Sequence, residues 1–251
     1  MTLGGLYVPP SDLDPVTRAL TYPYPAPAHD YVFRNGRAEP VAALDDADRA
    51  GRHPVLAIGS NRAPAQLARK FADMPQAVIA VERVRVSDLD VVYSAHLSGY
   101  GAVAATLLRV PGTRVEISIT WLGPELMDRM HATEGIGTFY DYVELHGLDG
   151  TRLDGGRFDR AFAYVCRLGA LAVDGAARAV DAIGAERRTL QAIDQRAAQG
   201  AMIAKLGLAA TVPDFIAANV ADTTLRLDHE ARASRDALAF DWPAMRRVDV
   251  G

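Results

Sequence analysis

The amino-acid sequence predicts an α+β fold: a strand-rich centre flanked by helices, preceded by an extended N-terminal arm and followed by a helical C-terminal extension. Three observations predict it. Val115, Ile117, Ile119 and Trp121 alternate with Glu116, Ser118 and Thr120, the period-two pattern of a strand with one face inward. The apolar run Val55-Leu56-Ala57-Ile58 is ended by Gly59, and its length suits a buried strand better than a helix. From about residue 169 onward the chain is alanine-rich with helical spacing. The chain therefore divides into an arm (1–54), a core (55–168) and an extension (169–251).

In the arm, Pro9-Pro10 and Tyr22-Pro23-Tyr24-Pro25-Ala26-Pro27 favour polyproline-like backbone over helix. Such a segment serves as a strap whose rings pack on its own domain, or as a ligand for a partner's groove. In the core, Gly59-Ser60-Asn61 forms a turn between the first strand and a helical segment at 64–71. Residues 104–110 and 115–122 read as the two arms of a hairpin around Pro111-Gly112-Thr113. A helix over 124–133 brings Glu134 in its last turn and stops at Gly135, and strands follow at 140–145 and 160–168. In the extension, Leu190, Ile193, Ala197 and Ala201 mark one helical stripe, and Pro213 suits the first turn of another helix. This extension is expected to cover the core or to form a subunit interface, so a homo-oligomer assembled through it is possible.

Composition narrows the function classes. Of 251 residues, 49% are hydrophobic and 23% charged, ordinary for a globular protein with one large core. The net charge is −4 and no basic block is longer than Arg187-Arg188 or Arg246-Arg247, which leaves nucleic-acid binding without electrostatic support. The first ten residues lack a basic segment followed by an apolar one, and nowhere do 18 apolar residues run together, so a cytoplasmic protein with no membrane span is expected. Cys166 sits in an apolar run without a cationic neighbour and reads as a packed thiol. His96 and His131 are far apart and no tight His/Cys cluster exists, so no metal is expected. Gly99-Tyr100-Gly101 with Ala104 matches a dinucleotide fingerprint loosely but lacks its βαβ context. No G-x-S-x-G elbow surrounds Ser60.

Two features carry chemistry. Leu126, Met130 and Glu134 share one helix face that continues an apolar stripe. Desolvation and the negative end of the helix dipole both disfavour the charged form of a carboxylate there, which suits proton transfer near neutral pH. The plainer reading turns Glu134 to solvent or pairs it with Arg129 or His131. At Gly59-Ser60-Asn61, converging backbone N–H groups can hold a carboxylate or phosphate; Ser60 or Asn61 can equally cap the following helix.

These residues resemble a known family. The run from Val55 through Gly59-Ser60-Asn61 looks like the strand-turn motif of the γ-glutamylcyclotransferase-like proteins. Ala105-Thr106-Leu107 with Pro111-Gly112, the strand ending at Trp121, and Glu134-Gly135 with Tyr140 resemble the segments that follow, in the same order. The resemblance covers about residues 55–168. It implies a small mixed β-barrel flanked by helices with a substrate pocket at one mouth, a γ-glutamyl group held by the turn at Ile58, Gly59, Ser60 and Asn61, and Glu134 as the general acid/base. The substrate's α-amine would attack its γ-carbonyl, expelling an amine and closing 5-oxoproline, without metal or cofactor. Tyr140 would orient the small-molecule γ-glutamyl substrate, or it is half-buried packing.

Two departures stand out. Ile58 replaces the aromatic residue that usually opens the motif, and Arg62 stands where an apolar residue is common; it contacts a substrate carboxylate or points to solvent. The sequence thus leaves two functions: a cyclotransferase-like enzyme, or a non-catalytic binding protein on the same fold that uses its arm and extension for assembly.

Overall fold

The computed structural model describes residues 13–250; Pro9-Pro10 of the arm lies outside them. The arm is more structured than its prolines suggest. Helix α1 (Pro15–Leu20) starts where the Asp14 carboxylate accepts the N–H groups of Val16 and Thr17, with Pro15 in the first turn, where no amide hydrogen is needed. Strands β1 (Tyr31–Arg34) and β2 (Arg37–Pro40) form a hairpin around Asn35-Gly36, both at positive φ as in a two-residue type I′ turn. That Asn-Gly pair was the sequence signal for it. The short helix α2 (Asp46–Arg49) has no buried residue.

Strands β3 (His53–Ala57), β4 (Ile79–Leu97), β5 (Val103–Leu122), β6 (Tyr140–Arg152) and β7 (Arg157–Cys166) close a barrel. Going round it, β4 pairs with β5, β5 with β3, β3 with β7, β7 with β6 and β6 with β4. Only the β3–β7 pair is parallel, so this is the small mixed barrel that the resemblance implies. β1 adds to its outside along β4.

The expected hairpin at Pro111-Gly112-Thr113 is corrected. Residues 104–110 and 115–122 belong to one strand, β5, whose partner throughout is β4. Leu89 of β4 faces both Arg109 and Arg114, so residues 110–113 bulge out and the chain resumes its original direction. Gly112, at positive φ, makes the excursion, and its N–H donates to Asp88 of the matching irregularity in β4. The turn chemistry is real, but continuous pairing with β4 overrides a reversal.

The alternation in β5 is observed: Val115, Ile117, Ile119 and Trp121 enter the main core with Val84, Val86, Val143, Leu145 and Ala163. Each fully buried aliphatic side chain of this kind contributes about 1.5–3 kcal/mol. The opposite face is covered too, since Ser118 and Thr120 are buried. There α3 (Pro64–Lys70) and α4 (Pro124–Glu134) pack on the barrel wall, placing Leu67, Met127 and Met130 against Val55, Leu122, Tyr142 and Tyr164. Gly135, left-handed at φ 61°, ends α4 as expected.

The extension mixes short strands with helices: β8 (Ala179–Val180), β9 (Ala185–Glu186) and β10 (Ala192–Ile193), then α5 (Gln195–Leu206), α6 (Val212–Ala221), α7 (Thr223–Ala233) and β11 (Met245–Arg247). The expected stripe is cut in two. Asp194 caps α5 by accepting the Ala197 N–H, so Leu190 and Ile193 precede the helix, and Ala198, Met202 and Leu206 form its buried face instead. Pro213 does stand in the first turn of α6. Among the described residues no helix is long and apolar enough to cross a membrane.

Candidate functional site

β3 ends at Ala57, and Gly59 leads into a single 3₁₀ turn, Ser60–Arg62, before α3. Neither Ser60 nor Asn61 caps that helix, whose N-cap position is Ala63. Instead the Asn61 side chain crosses to the end of α4, where Nδ2 donates to Glu134 Oε1 at 2.9 Å. The turn and the acid, 73 residues apart in sequence, are thus bonded directly.

The same oxygen accepts a hydrogen bond from the ammonium of Lys70, the last residue of α3. Lys70 also reaches Met130 Sδ at 3.4 Å. Glu134 therefore pairs with neither expected partner: Arg129 pairs with Asp73, and His131 Nδ1 meets the Tyr164 hydroxyl at 2.9 Å. The Lys70 and Glu134 side chains are only 3% and 12% exposed, so the pair is an inner one. Burial pulls the Lys70 ammonium below the ordinary lysine range, and the Glu134 carboxylate beside it opposes that shift. Oε2 of Glu134 carries no protein hydrogen bond among the described residues.

Ile58, Gly59, Ser60, Asn61, Glu134 and Tyr140 all line one cavity of about 540 Å³. Tyr140 opens β6, and burial, reinforced by neighbouring acidic groups, pushes its phenol well above the usual tyrosine value. Arg62 is not in the lining; it follows neither expectation, since its guanidinium donates to the Ala182 carbonyl of the extension at 2.8 Å.

The other walls come from segments where no site residue is expected. The arm contributes Arg18 and Tyr22, α3 contributes Arg69 and Lys70, β4 contributes His96, and α7 contributes Arg226. Four cations and one carboxylate thus line the cavity in a chain of net charge −4. Among the described residues Arg18, Arg69 and Arg226 have no carboxylate partner: Arg18 lies over the Tyr100 ring, Arg69 donates to Gln66, and Arg226 donates to the Asn219 carbonyl. Lys70 had a readable signal, because it lies three residues after Leu67 on the buried side of α3. The arm and the extension had none, since their approach to the cavity is set by packing across the barrel.

Neither a family profile nor a curated protein sequence matches this chain significantly. Solved structures similar to it include a gamma-glutamyl cyclotransferase, at 16% identity and a TM-score of 0.38, covering 45% of this chain and 66% of that one. A protein from Arabidopsis thaliana, determined in solution, is similar at 14% identity and a TM-score of 0.38, covering 49% of this chain and 74% of its own. An uncharacterized protein from Homo sapiens is similar at 16% identity and a TM-score of 0.37, covering 46% and 66% respectively. This chain is a closed five-strand mixed β-barrel flanked by helices, similar over part of its length to gamma-glutamyl cyclotransferase and related structures.

Proposed function

We propose that this protein is a γ-glutamylcyclotransferase-like enzyme that cleaves a γ-glutamyl amide by intramolecular attack of the α-amine, releasing 5-oxoproline. The observation that carries the reading is the 2.9 Å hydrogen bond from Asn61 to Glu134 in the wall of a cavity large enough for a small molecule. The backbone at Gly59, Ser60 and Asn61 holds the substrate's α-carboxylate, and the surplus of cations around it favours such an anion. Lys70 and Asn61 fix Glu134 through Oε1, which leaves Oε2 to take a proton from the α-amine as its nitrogen closes on the γ-carbon. A general base so placed contributes roughly 10²- to 10⁴-fold in rate, and holding amine and carbonyl in contact adds to that. Tyr140, which lines the same cavity, orients the substrate. The arm and the extension supply walls to this cavity without filling it, which favours an enzyme over a non-catalytic binder.

The test is release of 5-oxoproline from a panel of γ-glutamyl dipeptides and γ-glutamyl amines, beside Glu134→Gln. Release by the parent protein that disappears in the folded variant supports the reading. Full activity in the variant, or no release from any substrate by the parent, overturns it.

A further inference from the structure

A second titratable pair stands at the cavity. His96, near the end of β4, lines the cavity and is 7% exposed. Its Nδ1 lies 2.9 Å from Oε1 of Glu230, a residue of α7 that is 2% exposed. The Leu97 N–H donates to the same oxygen, also at 2.9 Å. Oε1 is already the acceptor for the Leu97 N–H, and in the arrangement where it accepts from both, Nδ1 carries the hydrogen and donates it. The ring is gripped on its other sides as well: it stacks on Phe139 at 4.5 Å and meets the edge of Tyr140 at 5.7 Å. Phe139 packs in turn on Gly135, the neighbour of Glu134. Nε2 has no protein partner among the described residues and is not sealed from solvent, so the one free nitrogen of an otherwise immobilised ring opens on the cavity.

We infer that His96 is a second proton carrier of this site, the acid that protonates the departing amine, with Glu230 as its positioning residue. The inference rests on the cyclotransferase reading. In that reaction an alkylamine cannot depart as its anion. The bond from the α-nitrogen to the γ-carbon forms while Glu134 takes the α-nitrogen's proton. The γ-carbon then releases the leaving nitrogen, whose electron pair takes the proton from His96 Nε2, and the imidazolium becomes imidazole. Afterwards Glu134 returns its proton to solvent and His96 takes one up, so 5-oxoproline and the free amine are the only net products. Glu230 fixes the tautomer and the aim of the ring, as a buried carboxylate does behind the histidine of a hydrolytic triad. It arrives on α7, so the extension completes the chemistry of the barrel as well as covering it.

The experiment compares the parent protein, His96→Gln and Glu230→Gln on two substrates, a γ-glutamyl alkylamide and γ-glutamyl-4-nitroanilide, whose electron-poor nitrogen departs with much less help from an acid. Expected is a loss of roughly 10²- to 10⁴-fold in kcat/KM for His96→Gln on the alkylamide, with a loss on the anilide smaller by at least about tenfold. Glu230→Gln, which keeps an acceptor for the Leu97 N–H, shows the same selectivity in weaker form and carries the comparison if His96→Gln does not fold. Equal losses on both substrates, or no loss on the alkylamide, overturn the assignment and leave the pair a structural pin between α7 and β4. Turnover of neither substrate by the parent overturns the cyclotransferase reading itself, and this assignment with it.

Discussion

The hydroxyl of Tyr22 lies against Gly59, where any β-carbon at position 59 would stand. It is held there by the Ala105 N–H, which it accepts at 2.9 Å. The proline-rich arm therefore acts as a strap whose ring packs on its own barrel, and glycine is required in the turn because of that ring.

This contact predicts a coupled pair. Gly59→Ala forces the Tyr22 hydroxyl aside and strands the buried Ala105 N–H, and Tyr22→Phe strands the same group, each at about 1–3 kcal/mol. The double variant removes both the clash and the second loss, so its destabilisation falls short of the sum by about 1 kcal/mol or more in urea unfolding. Strict additivity would show that the two residues do not meet in solution.

Lys70→Met leaves the Glu134 carboxylate inside without its cation. Because Glu134 keeps the Asn61 bond and some exposure, the expected cost lies at the lower end for a broken inner pair, about 3 kcal/mol. Adding Glu134→Gln to Lys70→Met recovers much of it, since no uncompensated charge then remains. Equal stability of the parent and Lys70→Met in denaturant unfolding would contradict the pairing.

Burial raises the phenols of Tyr22, Tyr93, Tyr100, Tyr140, Tyr142 and Tyr164 above the ordinary tyrosine value of about 10. Above that pH the unfolded chain has lost protons that the folded chain keeps. The folded state then binds more protons, and stability falls as pH rises. This contribution is present in full below about pH 10 and lost above it. Phenolate absorbance should therefore appear together with the loss of circular dichroism, in one step; gradual ionisation within a folded protein would count against it.

Burial pushes the Cys166 thiol up to about 11. A thiol reagent near neutral pH should leave the folded protein unmodified and label one site after denaturation. Rapid labelling of the folded protein would mean that the strand carrying Cys166 opens readily.

Short-range pattern by itself determined a good part of this protein. The alternation through Trp121, the apolar run before Gly59 and the helix ending at Gly135 each depend on neighbours within a turn or a strand length, so the chain writes them locally. The same holds for Gly59, Asn61 and Glu134, which are singled out by residue type at a strand end and a helix end; Tyr140 came through the family resemblance, and the fold gathers all four at one cavity. Only the tertiary structure decided the rest. Whether Pro111-Gly112-Thr113 reverses the chain depends on what pairs beside it, and β4 continues along both sides. The partner of Glu134 depends on where α3 ends against α4, which no spacing within either helix reports. Tyr22 and Arg226 reach the cavity, and Glu230 reaches His96 behind its wall, from the two ends of the chain because closing a barrel brings distant segments together. Contacts across such separations are fixed by packing and pairing geometry, which a single sequence does not display.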